Sequence, residues 1–184
     1  GRLNSPTLRY THQIAAALAQ AHACGVVHRD LKPANVMLVP DPTLPGGERV
    51  KVLDFGIAKV AATDDTGLTR TGAMMGTPSY MSPEQCRNAA AAGERSDVYS
   101  LGVMLYEMLA GRRPFIGESD MDVAVQHITE PPPPLLDAVP PGSVAPALAT
   151  LVDRMLAKRP DQRPSMIEVA QTLDEVLDAP STST

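Results

Sequence analysis

Several residue types that support disulfide, metal or membrane proteins are scarce in this chain. Among its 184 residues it has two cysteines, no tryptophan and 3% aromatic residues. Cys24 and Cys86 show neither C-x-x-C spacing nor a paired framework, so we expect small buried residues in a reducing, cytoplasmic environment. His12, His22 and His127 lack the spacing of zinc sites or catalytic triads, and we expect solvated or core histidines. No apolar run reaches the length of a membrane span, and we expect no signal peptide.

The charge balance excludes another class of partner. The chain has 16 Lys and Arg against 21 Asp and Glu, for a net charge of -5. An acidic chain gives no electrostatic support to nucleic-acid binding, so we expect no nucleic-acid partner. With 43% hydrophobic residues, the chain is long enough for one compact domain with a core. We expect this domain over residues 1–178, followed by a polar tail or linker at 179–184.

Local patterns predict several helices and a few short strands. The helices are expected at 7–24, 96–110, 120–128, 145–156 and 165–177. The strands are expected at 26–27, 36–39 and 50–53. Ser165 stands three residues before Glu168, a capping-box pattern. The stretch 54–84 reads as a long loop, and long loops inside compact domains are usually functional. The four prolines at 131–134 favour an extended surface connector.

Three motifs follow one another in a meaningful order. Residues 28–35 read His-Arg-Asp-Leu-Lys-Pro-Ala-Asn and fit H-R-D-L-x-x-x-N at every fixed position. Residues 54–56 read Asp-Phe-Gly, and residues 82–84 read Ser-Pro-Glu where A-P-E would stand. An Asp-Phe-Gly tripeptide alone occurs by chance. Placed after an H-R-D loop and flanked by predicted strands, it is a strong signal.

On these motifs the chain resembles the C-terminal lobe of a protein kinase, and most of all the eukaryote-like serine/threonine kinases of bacteria. The residues at 25–30, 54–59 and 79–85 all look like that group. The resemblance implies a mainly α fold: a kinase large lobe with a few short β-strands. No glycine-rich loop and no V-A-I-K strand precede the motifs, so we expect the N-terminal lobe to be absent from this chain. We also expect the isolated chain to have negligible activity.

The resemblance implies roles for five residues in phosphoryl transfer from ATP. Asp30 is the expected catalytic base, and Lys32 is expected to contact the transferring phosphate. Asn35 and Asp54 are the expected Mg²⁺ ligands, with Mn²⁺ as an alternative, because Mg²⁺ prefers hard oxygen donors. Met37 is expected beneath the adenine ring. Lys32, Asn35, Met37 and Asp54 thus form the expected ATP and metal site.

Other matches bear on specificity and regulation. Lys32 and Thr77 resemble the lysine and threonine of serine/threonine-specific members, in which that threonine bonds the catalytic aspartate and lysine. Arg29 resembles the arginine that pairs with a phosphorylated activation loop, where an added phosphate can order the chain. Thr69 and Thr71 stand where bacterial members carry paired autophosphorylation sites.

Seven residues are expected in structural roles: His28, Arg29, Phe55, Gly56, Glu84, Asp97 and Arg163. The resemblance implies a buried ion pair between Glu84 and Arg163. It implies that Asp97 braces the backbone of the catalytic loop. It also implies that His28 and Phe55 belong to a hydrophobic spine and act by packing.

The expected function is that of a serine/threonine protein kinase that phosphorylates proteins and its own activation loop. A non-catalytic docking module of kinase-like fold is the alternative. Degenerate kinases usually lose the catalytic Asp, the metal Asp or the Asn, and Asp30, Asn35 and Asp54 are all present here. A kinase of small molecules is a more remote reading. Protein substrates are expected as partners, a homodimer is a candidate assembly of the full-length parent, and a membrane anchor could follow Thr184.

Overall fold

The computed structural model of the chain describes residues 5–55 and 78–178. Seven α-helices lie in this part: α1 (Ser5–Ala23), α2 (Pro83–Arg87), α3 (Glu94–Ala110), α4 (Asp120–Thr129), α5 (Leu135–Ala138), α6 (Pro146–Met155) and α7 (Met166–Asp178). Two strands, β1 (Val36–Pro40) and β2 (Glu48–Val52), form one antiparallel hairpin. Four short 3-10 helices also occur, at Pro33–Asn35, Pro78–Tyr80, Ala89–Ala91 and Pro160–Gln162. The mainly α fold with few strands is therefore confirmed.

The end of α1 delivers the chain to the first motif. Gly25 adopts φ 73°, a left-handed conformation that glycine reaches without a side-chain clash. Its N–H donates to the His22 carbonyl at 2.9 Å, and the Val26 N–H donates to the Ala21 carbonyl at 2.9 Å. These two bonds form a Schellman cap. The strand predicted at 26–27 is wrong, because this cap uses the Val26 N–H and no strand within residues 5–55 and 78–178 pairs with the segment.

The hairpin places the ends of two motifs side by side. Val36 pairs with Val52, and Pro40 pairs with Glu48. Just outside this ladder, the Leu53 N–H donates to the Asn35 carbonyl at 2.8 Å. The end of the His-Arg-Asp loop and the start of Asp-Phe-Gly are therefore neighbours.

Helix α3 is the centre of the core. Its residues 96–106 are all buried, as its apolar composition predicted. It contacts α1, α6 and α7. At Gly102, an added Cβ would come within 2.9 Å of the Met155 Cβ. Glycine therefore allows α3 and α6 to approach closely.

The remaining comparisons with the sequence predictions concern local features. The Ser165–Glu168 capping box is present, with both the Ser165 N–H and its hydroxyl bonded to the Glu168 carboxylate at 2.7 and 2.6 Å. The short helices α2 and α5 were not predicted, because one or two turns carry too little periodicity to detect. The prediction of two buried cysteines is wrong for Cys24, which is exposed, and Cys86 is only partly buried. No helix in residues 5–55 and 78–178 is long and apolar enough to cross a membrane.

Candidate active site

Asp30 lies at the centre of a loop that is folded back on itself. The Lys32 Nζ lies 3.1 Å from Asp30 Oδ2, and the Asn35 Nδ2 donates to the Asp30 carbonyl at 2.8 Å. The Asn35 N–H also donates to the Lys32 carbonyl at 2.9 Å. The Asp30 side chain keeps 26% of its area exposed. The loop therefore presents a carboxylate beside an ammonium group, with both accessible to a substrate.

A buried carboxylate from α3 fixes the backbone of this loop. Asp97 is 1% exposed and accepts the His28 N–H at 2.8 Å and the Arg29 N–H at 2.9 Å. The His22 Nε2 lies 2.8 Å from the same carboxylate. Arg29 adopts φ 65°, a left-handed conformation that costs a non-glycine residue of order 1–3 kcal/mol. The bonds to Asp97 offset this cost and hold the two peptides that lead into His28 and Arg29.

The His28 ring links the loop to the hairpin. His28 is fully buried, and its Nε2 lies 2.9 Å from the Leu53 carbonyl. A carbonyl only accepts, so the proton is on Nε2. Nδ1 is then free to accept the Asp30 N–H, at 3.3 Å. The Phe55 ring packs on His28 with centroids 5.0 Å apart. A neutral imidazole thus connects Asp30 to the residues on both sides of Asp54.

Asn35 and Asp54 offer oxygen donors to a metal. Because the Asn35 Nδ2 donates to the Asp30 carbonyl, the Oδ1 atom of the same amide is the group left to coordinate a cation. Asp54 is exposed, with φ 53°. No cluster of three or more His, Cys, Asp or Glu that could hold a metal occurs in the described residues. Two hard oxygen ligands suit Mg²⁺, which keeps several water and phosphate oxygens.

The segment at residues 80–85 lies on the other side of the loop that contains Asp30. A shallow pocket beside Asp30 is lined by Arg29, Asp30, Leu31, Lys32, Tyr80, Met81, Gln85 and Ser100. The Tyr80 hydroxyl donates to Glu107 at 2.6 Å. Burial and this hydrogen bond raise the pKa of Tyr80 to about 12. The Ser100 hydroxyl donates to the Tyr80 carbonyl at 2.7 Å, so α3 supports this wall of the pocket as well.

Glu84 and Arg163 form a buried ion pair that anchors α2. Arg163 Nη1 and Nη2 donate to the two Glu84 oxygens at 2.7 and 2.8 Å. Burial alone would raise the pKa of Glu84, but hydrogen bonds from Arg163 and Ser96 outweigh it and hold that pKa below its ordinary value. The remaining Arg163 donors reach backbone carbonyls, including that of Ala157 at 2.7 Å. The pair is thus fully hydrogen-bonded, the condition under which a buried ion pair is tolerated.

A buried histidine lies behind this anchor. His127 is fully buried, and its Nδ1 lies 2.9 Å from the Tyr99 hydroxyl. The Lys158 Nζ donates to the His127 carbonyl at 2.8 Å and lies 4.3 Å from the centroid of the Phe115 ring. Burial, followed by the charge of Lys158, lowers the pKa of His127 to about 4. This histidine is therefore neutral in the folded chain at ordinary pH.

Not every predicted residue falls in the described part of the chain. Gly56, Thr69, Thr71 and Thr77 lie outside it. Met37 is on β1 and is 45% exposed.

Two site residues had escaped the sequence reasoning. The sequence predicts only a solvated or core position for His22, and it indicates no role for Gln85. Their partners, Asp97 and Arg29, lie 75 and 56 residues away. Local spacing gives no sign of such contacts.

With this geometry established, comparison with known sequences assigns the family. The family described as protein kinase domain matches residues 4–173. This chain belongs to the protein kinase family.

Several relatives of this chain are bacterial kinases. The serine/threonine-protein kinase pkn3 of Myxococcus xanthus is 45% identical over 163 residues, which are 88% of this chain and 29% of that protein. Serine/threonine-protein kinase PknA of Mycobacterium tuberculosis is 44% identical over 89% of this chain and 35% of its own length. PkaA of Streptomyces coelicolor is 46% identical over 89% of this chain and 28% of its own. The chain thus spans about a third of these curated relatives, or less.

Proposed function

We propose that this chain carries the catalytic base and the metal ligands of a serine/threonine protein kinase that uses ATP. The observation that carries the proposal is the arrangement around Asp30. Its carboxylate lies 3.1 Å from the Lys32 ammonium, and its carbonyl is held by Asn35. The hairpin brings Asn35 next to the residue that precedes Asp54. A proton acceptor and a cation lie side by side, and the backbone bond between Leu53 and Asn35 supports the proposal that Asn35 and Asp54 serve the same site in phosphoryl transfer.

Each residue has a distinct role in this proposal. Asp30 accepts the proton of the attacking hydroxyl and orients it, and Lys32 stabilises charge on the transferring phosphate. Asn35 Oδ1 and the Asp54 carboxylate hold Mg²⁺, which when bound neutralises charge on the phosphate oxygens. Mn²⁺ is an alternative with the same donors. Met37 packs beneath the adenine ring. His28, Phe55 and Gly56 fix the relative placement of the two motifs.

Two further features support serine and threonine as acceptors. Lys32 lies where serine/threonine kinases have their lysine, and Thr77 follows the corresponding pattern.

Arg29 is proposed to bind a phosphate on Thr69 or Thr71 after autophosphorylation. The Arg29 Nε is buried and has no hydrogen-bond partner among the described residues. A phosphate that paired with it would supply one.

The proposal extends to the larger protein. The kinase domain portion covers residues 1–178 and the polar tail covers 179–184. Protein substrates are the partners, a homodimer would allow autophosphorylation between copies, and the location is the cytoplasm, with an anchor beyond Thr184 as an option. The 184 residues contain neither a glycine-rich loop nor V-A-I-K. We therefore expect them to have negligible activity when isolated.

The test is phosphate incorporation from labelled ATP and Mg²⁺ into the full-length gene product and into generic protein substrates. Asp30→Asn is expected to lower incorporation at least about 100-fold, because general base catalysis contributes roughly 10²–10⁴-fold. Asp161→Asn, on an exposed pair with Arg159, is the matched control and should retain full activity. The label should map to Thr69 or Thr71. No incorporation by the folded protein would favour the alternative, a docking module without catalysis.

A further inference from the structure

The side chain of Gln85 joins two parts of the site. Its Oε1 accepts the Ser82 N–H at 3.1 Å and the Ser82 hydroxyl at 2.9 Å, at the start of α2. Its Nε2 donates in the other direction, to the Arg29 carbonyl at 2.8 Å. One amide group therefore caps α2 with its oxygen and reaches the catalytic loop with its nitrogen.

The carbonyl that accepts from Gln85 belongs to Arg29, a residue with a strained backbone. Arg29 is in the left-handed region, with φ 65°, and the Asp30 peptide follows directly. The Arg29 N–H is held by Asp97 at 2.9 Å, and the Arg29 carbonyl is held by Gln85. Side chains from α3 and α2 thus fix both polar groups of this strained residue. The Arg29 N–H and carbonyl belong to the two peptide planes that flank the Arg29 Cα, so the two bonds together restrain both backbone torsions of Arg29. Rotation of the second plane would turn Asp30.

We propose that Gln85 is a positioning residue for Asp30, acting through the Arg29 carbonyl. This inference rests on the proposed function, since it gives Asp30 the role of base. Arg163 anchors α2 through Glu84. The Gln85 side chain then links the position of α2 to the position of the Asp30 carboxylate. A displacement of the segment around α2 therefore changes the orientation of the Asp30 carboxylate.

A purely structural reading is that Gln85 is only the last member of a capping box, where Glu and Gln are both common. The two readings separate at the amide nitrogen. Gln85→Glu keeps an oxygen for the cap but loses the donor to Arg29. Gln85→Ala loses both contacts and adds no charge near Asp30. Gln126→Glu is the matched control, because its Nε2 donates to the Ile116 carbonyl at 3.0 Å, away from the catalytic loop.

The first measurement is hydrogen exchange of the Arg29, Asp30 and Leu31 amides in this chain, alongside thermal unfolding. Gln85→Glu and Gln85→Ala are expected to speed this exchange about tenfold, the effect of losing a hydrogen bond worth about 1.4 kcal/mol. Gln126→Glu should leave these amides unchanged. Unchanged exchange in both Gln85 variants would overturn the proposal.

The second measurement is steady-state kinetics of the full-length gene product. Both Gln85 variants should lower kcat about tenfold and leave the KM for ATP unaltered, because Asp30 acts on the hydroxyl and not on the nucleotide. Faster exchange with an unchanged kcat would overturn the positioning role. A wild-type protein without activity would instead refute the proposed function, and the exchange result would still decide whether Gln85 holds the loop.

Discussion

The catalytic loop and helix α3 lie against each other, yet different interactions hold them. Residues 96–106 of α3 are buried on every side, and apolar packing fixes their place. The loop at 28–35 is partly exposed, and its conformation depends on hydrogen bonds from side chains to backbone groups. Packing is strong but non-directional, whereas a hydrogen bond fixes an angle. The helix thus supplies a rigid base, and the bonds from Asp97, Asn35 and Gln85 orient Asp30 on it.

The largest expected effect concerns the anchoring of α2 on the packed side of this comparison. Glu84→Ala should lower the free energy of unfolding by roughly 3–5 kcal/mol, because it leaves the Arg163 guanidinium buried without its carboxylate. The measurement is urea unfolding followed by circular dichroism. Asp161→Ala, which breaks an exposed pair with Arg159, should cost less than about 1 kcal/mol. Equal losses in the two variants would mean that burial adds nothing to the pair.

The next effect is a dependence of stability on pH. The pKa of His127 is about 4 in the folded chain against an ordinary value of 6.5, so the unfolded chain binds a proton that the folded chain rejects. The contribution of neutral His127 to the free energy of unfolding is fully present above pH 6.5. It is lost as the pH falls to about 4, and the loss is on the order of 3 kcal/mol. Urea unfolding across this range measures the loss. His127→Gln should flatten the profile between pH 6.5 and 4, and an unchanged slope would assign the loss to other groups.

Asp97→Asn tests the contact that joins the two regions. The variant keeps the shape of the side chain but replaces one acceptor oxygen with a donor, so we expect a loss of about 2 kcal/mol in unfolding free energy. Amide exchange at His28 and Arg29 should rise more than exchange within α3. Asp174→Asn, at a partly exposed contact with His12, should change neither. Equal increases in the loop and in α3 would mean that Asp97 serves the core and not the loop.

The smallest effect is a gain in stability. The Tyr106 hydroxyl is buried and has no hydrogen-bond partner among the described residues, so Tyr106→Phe should stabilise the fold by up to about 1 kcal/mol. Tyr99→Phe is the matched comparison. It removes the hydroxyl that lies 2.9 Å from His127 Nδ1 and should destabilise by about 1–2 kcal/mol. Differential scanning calorimetry distinguishes the two signs, and a loss in both variants would contradict the assignment of Tyr106.

The sequence predicted the packed region more completely than the site. The apolar composition of residues 96–110 predicted α3, and the spacing of Ser165 and Glu168 predicted a cap that is present before α7. The Glu84–Arg163 contact followed from the family resemblance and is also present. Each of these rests on a local pattern or on a family motif.

What escaped prediction depends on distant partners. His22 and Gln85 are ordinary polar residues in their own segments, and only the folded chain brings them to Asp97 and Arg29. The strand expected at 26–27 failed for a related reason. Val26 and Val27 favour a strand, but a strand needs a second strand to pair with. Here the Val26 N–H instead completes the cap of α1. The expected roles of Asp30, Asn35 and Asp54 stay predictions until activity is measured.

The packing of α1 against α7 has a consequence for how the chain is made. Leu8, Ile14 and Leu18 on α1 are buried, and α7 packs on this helix together with α3 and β2. During synthesis at roughly 5–20 residues per second, α1 leaves the ribosome on the order of ten seconds before α7. The part of its surface that packs on α7 is therefore exposed to other proteins throughout that interval. We expect the nascent chain to depend on chaperones until α7 emerges, after which the first and last helices close the core together.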